Sequence, residues 1–479
     1  MYLSMKSNSL FLIVILAASL FSCKKDKVDG SINKAYIGGE IINPNSDYIV
    51  IKKADIPLDT VRLNRQNRFS YTLTNFEPGI FGFFDGREFQ NFLIEPNDSL
   101  MLRLNTLDFD ESLVYVGKGA KENNFLMEMY LLNEEEDEKI LDLGQKTSKE
   151  FDSIYRASRN LKLKKLDRIK RKTETSNLFN EIAEASIYYE YYAHKELYPL
   201  ANYKISELDA FKSLPRDFYA YRESIDYNNV NLKNYSPYIS FLRFHFNNLA
   251  LQKHFTHSND SVYNKLDIHY NLDKLDLIDE KVSNEDIKNS LLRFVIGQFI
   301  SVSKSPEDYD AMLKSFKEKS TNDNDKERVS QFVCSYKRLS PGNKIPEIQL
   351  LNTADKEVSL HGLIKKPTVI YFWSKSNKNH LISSHKRVKE LNVKYPEFNF
   401  IAINIDVISY KQQSEIIAKY DVRLHNEYRF KAPRQAKETL FIEPIQKVFI
   451  LDKKGKIVNA KANMFGIGFE QELLGLLNQ

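Results

Sequence analysis

The chain has 479 residues, of which 42% are hydrophobic and 28% charged, with a net charge of +5 and two cysteines. That length holds two or three domains with their own cores, and the composition is ordinary for a globular protein. Lys and Arg are interleaved with Asp and Glu along most of the sequence, so the basic balance gives little support for a nucleic-acid partner, and two cysteines exclude a disulfide framework.

Lys6 precedes an apolar run, Leu10 to Leu20, that is too short to span a bilayer and fits a secretory signal. The run ends in Leu20-Phe21-Ser22-Cys23, which resembles a bacterial lipobox, although Phe21 is bulkier than the small residue usual there. The resemblance implies cleavage before Cys23, lipid attachment to its thiol, and a signal peptide over residues 1–22. Charged and polar residues 23–33 then read as a tether. No other apolar stretch approaches the ~20 residues of a transmembrane helix. With Cys23 lipidated, Cys334 has no intramolecular partner; it sits in a helical stretch and is expected to be a small buried hydrophobe.

Residues 34–120 show short alternating runs broken by turn residues, among them Tyr48–Ile51, Thr60–Leu63, Arg68–Leu73, Phe89–Ile94 and Ser99–Leu104. The pattern predicts an antiparallel β-sandwich-like domain. Asp59-Thr60-Val61, the Asn67-Arg68-Phe69 turn, Ile94-Glu95-Pro96-Asn97-Asp98 and Gly117-Lys118-Gly119-Ala120-Lys121-Glu122-Asn123-Asn124 resemble a small β-domain that precedes thioredoxin-like domains in Bacteroidetes lipoproteins. Its usual Pro-Gly-Asp is Pro96-Asn97-Asp98 here, and Asn accepts the left-handed backbone such a turn requires.

Residues 121–337 change to a helical period. Phe125, Met129, Leu132 and Ile140 can share one face, and Leu161, Leu166 and Ile169 punctuate a basic helix. Pro199, Pro215, Pro237 and Pro306 mark helix boundaries. The acidic run Glu134–Glu138 and the basic run Lys162–Lys172 read as solvated faces that partly neutralise one another. Docking of the basic helix on anionic lipid is the sharper alternative.

Residues 338–479 alternate strand and helix, with near-continuous apolar strands at 369–373, 398–406 and 447–451. The segment Val369-Ile370-Tyr371-Phe372-Trp373-Ser374-Lys375-Ser376-Asn377-Lys378-Asn379-His380 resembles the strand–loop–helix entry of the TlpA/ResA redoxins, which read Phe-Trp-Ala-x-Trp-Cys-x-x-Cys there. On that pattern Asn377 and His380 occupy the two cysteine positions. Gln446, counted back from the Asp452 hairpin turn, occupies the cis-proline position, with Pro444 two residues earlier. Thiol–disulfide exchange needs an attacking thiolate, which neither an amide nor an imidazole supplies. Asn377 is a good helix N-cap, and His380 in the first turn is expected to stay neutral with a depressed pKa. Trp373, Ser376, Asn377 and His380 could bind an extended peptide; the plainer reading is a capped structural helix, with Trp373 packed beneath its loop.

Two weaker constellations remain. His254 and His257, with Asp260 nearby, lack the third and fourth ligands of a zinc site, and Ser383-Ser384-His385-Lys386 lacks the companion motifs of the serine acylases. The sequence therefore reads as a multidomain α+β chain: a β-sandwich-like N-domain, a helical middle domain and a thioredoxin-like α/β C-domain without catalytic residues, cofactor or metal. Its expected role is non-catalytic protein or peptide binding at the cell envelope, anchored to the membrane by lipid, with no nucleic-acid partner. A divergent redoxin working with a partner's cysteines, and a structural subunit of an envelope complex, are the alternatives.

Overall fold

A computed structural model describes residues 33–478 except 55, 259–262, 304, 425, 443 and 444. The signal segment, Cys23, Asp260 and Pro444 lie outside the described residues. Among the described residues no helix is long and apolar enough to cross a membrane. The described residues divide into two compact units: those up to 140, 152–191 and 234–238 form one, and 141–151, 192–233 and those from 239 onward the other.

In the first unit, strands β1 (Lys34–Ile42), β2 (Tyr48–Lys53), β3 (Ile56–Arg62), β4 (Arg68–Thr74), β5 (Gly79–Phe84), β6 (Phe89–Ile94), β7 (Ser99–Asn105) and β8 (Val114–Lys118) make two four-stranded sheets. Their orders are β4-β1-β7-β8 and β3-β2-β5-β6. Ile37, Ile41 and Leu100 of one sheet and Ile49, Phe81 and Phe92 of the other share a single core, so this is a sandwich. One pairing departs from the antiparallel expectation: β1 and β7 run parallel. A parallel neighbour needs a long crossover, and β2 to β6 supply it, which adjacent-strand patterning cannot reveal. Asn97 has φ 68°, the left-handed turn conformation expected of it.

The helix Ala120–Asp137 is attached to both sheets by two adjacent side chains. Asn123 accepts from Leu93 N at 2.7 Å and donates to Leu93 O at 2.8 Å. Asn124 does the same to Tyr115, at 2.9 and 2.8 Å. Leu93 lies on β6 and Tyr115 on β8, which are edge strands of the two sheets. Each carboxamide thus continues a sheet ladder where no further strand exists, blunting an otherwise open edge. Farther along, the Ser148–Lys172 helix reverses one expectation: Leu161 is exposed, whereas Lys162 is 2% exposed. Lys162 pairs with Glu136 at 2.7 Å and donates to Asn133 Oδ1 at 2.6 Å, so the acidic and basic runs do neutralise one another, partly inside the protein.

The second unit contains the Ser236–His257 helix from Ile239 onward and the helices Ile268–Lys281, Glu285–Val302, Pro306–Lys319 and Asp323–Arg338, these four packed on one another. Pro306 opens its helix as expected, but Pro199 lies inside Asn177–Ala201, near its end. Cys334 is exposed rather than buried; Val329, Val333 and Tyr336 take the inward positions of its helix.

The C-terminal sheet has seven strands: β9 (Gln349–Leu351), β10 (Glu357–Ser359), β11 (Thr368–Trp373), β12 (Asn399–Asn404), β13 (Glu427–Phe430), β14 (Val448–Leu451) and β15 (Ile457–Ala462). Their order is β10-β9-β13-β12-β11-β14-β15. β11, the Lys378–Lys394 helix and parallel β12 form a βαβ unit. Antiparallel β14 and β15 with the Phe469–Leu477 helix form a ββα unit. That combination is the thioredoxin-like arrangement. All six β11 residues are buried: Ile370 and Phe372 enter one core, Val369, Tyr371 and Trp373 the core on the opposite face. A strand covered on both faces has no polar side, hence its unbroken apolar sequence.

The Asn clamp predicts a stability cost. Asn123→Ala leaves the buried Leu93 amide and carbonyl without partners and should lower the unfolding free energy by ~2–4 kcal/mol in urea titration. A loss below ~0.5 kcal/mol would show that the edge finds other partners.

Candidate functional site

β11 ends at Trp373, and four residues separate it from the Lys378–Lys394 helix. Asn377 is the N-cap, its Oδ1 accepting from His380 N at 3.1 Å. The loop between is held from below by one carboxylate. Asp406 accepts from Ser374 Oγ and from Lys375 N, both at 2.7 Å, and from Asn404 Nδ2 at 3.2 Å. Ser374 and Ser376 hydroxyls lie 2.7 Å apart. Lys375 and Ser376 on this braced loop and Lys378 and Asn379 in the first turn of the helix are exposed.

His380 is only 8% exposed, and its Nε2–H donates to the Phe372 carbonyl at 3.1 Å. That bond fixes the tautomer by donor–acceptor matching, since a carbonyl can only accept. Burial holds its pKa below the ordinary value; the positive field of His385 adds to this and the Phe372 bond opposes it. The expected direction is therefore found, with desolvation the leading cause rather than the helix dipole. The Phe465 ring, 46% exposed, lies 6.5 Å from the His380 ring.

Trp373 is fully buried, so its ring supports the loop from beneath and is out of a ligand's reach. Its Nε1–H donates to Glu427 Oε2 at 3.3 Å, while His385 Nε2 lies 2.9 Å from Glu427 Oε1. His385 Nδ1 faces the Leu381 carbonyl at 2.8 Å and must carry a proton. Sequence reading missed Glu427, because β13 is only four residues long and its flanking Pro433–Leu440 helix was not anticipated. The signal that could have found it is Pro433 at a helix N-terminus, which marks an extra element before β14.

Gln446 is exposed and lines a different cleft, of about 670 Å³, with Phe332, Tyr336, Phe441 and Lys447. Neither Ser376 nor Asn377 nor His380 lines that cleft, so Asn377, His380 and Gln446 do not share it. Burial and the neighbouring Lys461 push the Lys447 ammonium down to about 7.

Two polar clusters elsewhere in this unit account for themselves structurally. Glu196 is 1% exposed and meets the Arg222 guanidinium, Tyr221 Oη at 2.8 Å and His245 Nδ1 at 2.6 Å. His245 Nε2 in turn meets Tyr227 Oη at 2.8 Å, so the carboxylate and imidazole are both satisfied. His254 and His257 come within 4.8 Å of Asp273. Both Asp273 oxygens are already engaged, by His257 at 2.7 Å and Lys253 at 3.0 Å, and the lysine charge opposes a second cation there.

No family model and no curated protein matches the chain. Among solved structures, it is similar to a thioredoxin-like protein from Bacteroides caccae at 10% identity, over 60% of this chain and 93% of that one, with a TM-score of 0.33. It is similar to a thiol-disulfide oxidoreductase from Bacteroides fragilis at 17% identity, over 28% of this chain and 99% of that one, with a TM-score of 0.24. A thiol:disulfide interchange protein from a Bacteroides species matches at 18% identity, over 25% and 80% of the two chains, with a TM-score of 0.22.

The His380 geometry predicts a pH dependence. An unfolded His binds a proton near pH 6.5, the buried one only at lower pH, so acidification favours the unfolded chain. Stability contributed by neutral His380 is present above pH ~6.5 and is lost as pH falls toward its lower folded value. NMR titration should place the His380 midpoint below ~6.5, and His380→Gln should flatten the acid limb of the stability curve. A midpoint at or above that value would reject this assignment.

Proposed function

We propose that this chain is a cell-envelope lipoprotein whose thioredoxin-like region recognises a protein or peptide segment without thiol chemistry. The observation that carries the reading is the Trp373–His380 loop. It keeps exposed hydrogen-bonding groups on Lys375, Ser376 and Asn379, braced by Asp406, while its sequence holds no sulfur. A loop fixed before binding loses little conformational entropy on contact, so modest polar contacts can yield affinity. The half-exposed Phe465 ring beside His380 offers an apolar anchor next to those groups. Among the described residues the single cysteine, Cys334, lies on the Asp323–Arg338 helix and not on this loop.

In this reading residues 1–22 direct export, Cys23 carries the lipid, and residues 34–120, 121–337 and 338–479 act as successive β, helical and thioredoxin-like parts. What supports the anchor is the sequence at Leu20–Cys23.

Two experiments test the proposal. A photo-crosslinking residue at Ser376 should trap an envelope protein or peptide, with capture weakened about tenfold by Phe465→Ser, while purified protein leaves insulin disulfides intact. Insulin reduction at a rate comparable to a redoxin's would sink the non-catalytic reading. For the anchor, palmitate labelling in cells should be lost in Cys23→Ala, and label retained there would disprove attachment at that thiol.

A further inference from the structure

Lys274 stands on the Ile268–Lys281 helix and is 5% exposed. Its ammonium lies 4.3 Å from the Tyr270 ring centroid, and among the described residues it has no hydrogen bond and no ion pair. An ammonium largely withdrawn from water without a counter-charge is costly for a protein to hold. The ring face compensates only in part. Burial alone pushes Lys274 down to about 7.

The side chain lines a cavity of about 610 Å³ whose other walls include Lys265, Arg293, Tyr263 and Phe294. None of the described lining residues is Asp or Glu, so the three cations face the same space without a carboxylate among them. Arg293 is partly neutralised from behind by Asp325, at 2.6 Å. Gly297 belongs to the same wall, in the middle of the Glu285–Val302 helix. A mid-helix glycine costs about 1 kcal/mol relative to alanine. Here a Cβ would meet nothing within 4 Å, so packing does not demand the glycine and a larger side chain there would extend into open space.

We propose that this cavity is a binding site for a small organic carboxylate with an apolar body, its charge taken by Lys274 and its body lying along Phe294 and Tyr263. An anion supplies the counter-charge that Lys274 lacks among the described residues. The aromatic wall distinguishes such a ligand from a bare inorganic ion.

The test is calorimetric titration of the purified full-length chain with phenylacetate and 3-phenylpropionate, alongside inorganic phosphate and the neutral alcohol 3-phenylpropanol. Saturable one-to-one binding of a carboxylate is expected, weakened about 30-fold or more in Lys274→Met, since losing one partner of a buried charge pair is costly. Gly297→Leu should abolish binding by filling the space, whereas Gly297→Ala should leave the fold intact. Lys274→Met also removes an unpaired buried charge, so its thermal midpoint should equal or exceed that of the parent. Absence of carboxylate binding would overturn the proposal, as would affinity unchanged in Lys274→Met or Gly297→Leu. Phosphate or the alcohol binding as tightly as the carboxylates would also overturn it.

Discussion

Glu427 is an acid at 4% exposure within the C-terminal sheet, and the parts around it are arranged to satisfy its two oxygens. One oxygen takes the Trp373 indole N–H from the end of β11; the other faces His385 on the helix that follows the loop. The end of β11, the helix after it and β13 therefore meet at one buried acid. Had the acid been unpaired, its desolvation would cost several kcal/mol. With both oxygens engaged, it fixes the side-chain positions under the loop instead. The Trp373–His380 loop inherits its shape from this layer below and from Asp406 beside it.

Buried polar groups solve the same problem elsewhere. Asn123 and Asn124 occupy the edges of two sheets, Lys162 enters the interior on Glu136 and Asn133, and Glu196 binds Arg222, Tyr221 and His245. In each case a polar side chain does what further backbone or water would otherwise do, and joins segments distant in sequence. Such groups give the chain register between elements, because a shifted helix would leave them unpaired. Lys274 departs from this pattern. It is the described buried lysine that faces a cavity instead of an acid or a carbonyl.

Chemistry and scaffold separate cleanly in the C-terminal region. The strand order, the βαβ and ββα units and the loop position rest on packing, with Val369, Tyr371 and Trp373 on one face and Ile370 and Phe372 on the other. A fold set by its core leaves the loop residues open to change, so a thioredoxin-like sheet places no demand on what Asn377 and His380 do.

Local pattern alone determined a good deal about this protein: the β-rich start, the helical middle, the apolar strand β11, the Asn377 cap and the left-handed Asn97 turn, all governed by near neighbours in sequence. It also told that the loop carries no thiol. Only the tertiary structure decided that β1 and β7 run parallel, that Lys162 points inward while Leu161 and Cys334 point outward, and that Gln446 belongs to a separate cleft from His380. It alone brought Glu427 beneath Trp373 across 54 residues of chain. The reason is that burial of a charged or polar group is chosen by its partner, and the partners of Lys162, Glu427 and Asn123 lie on other elements, beyond the reach of any local period.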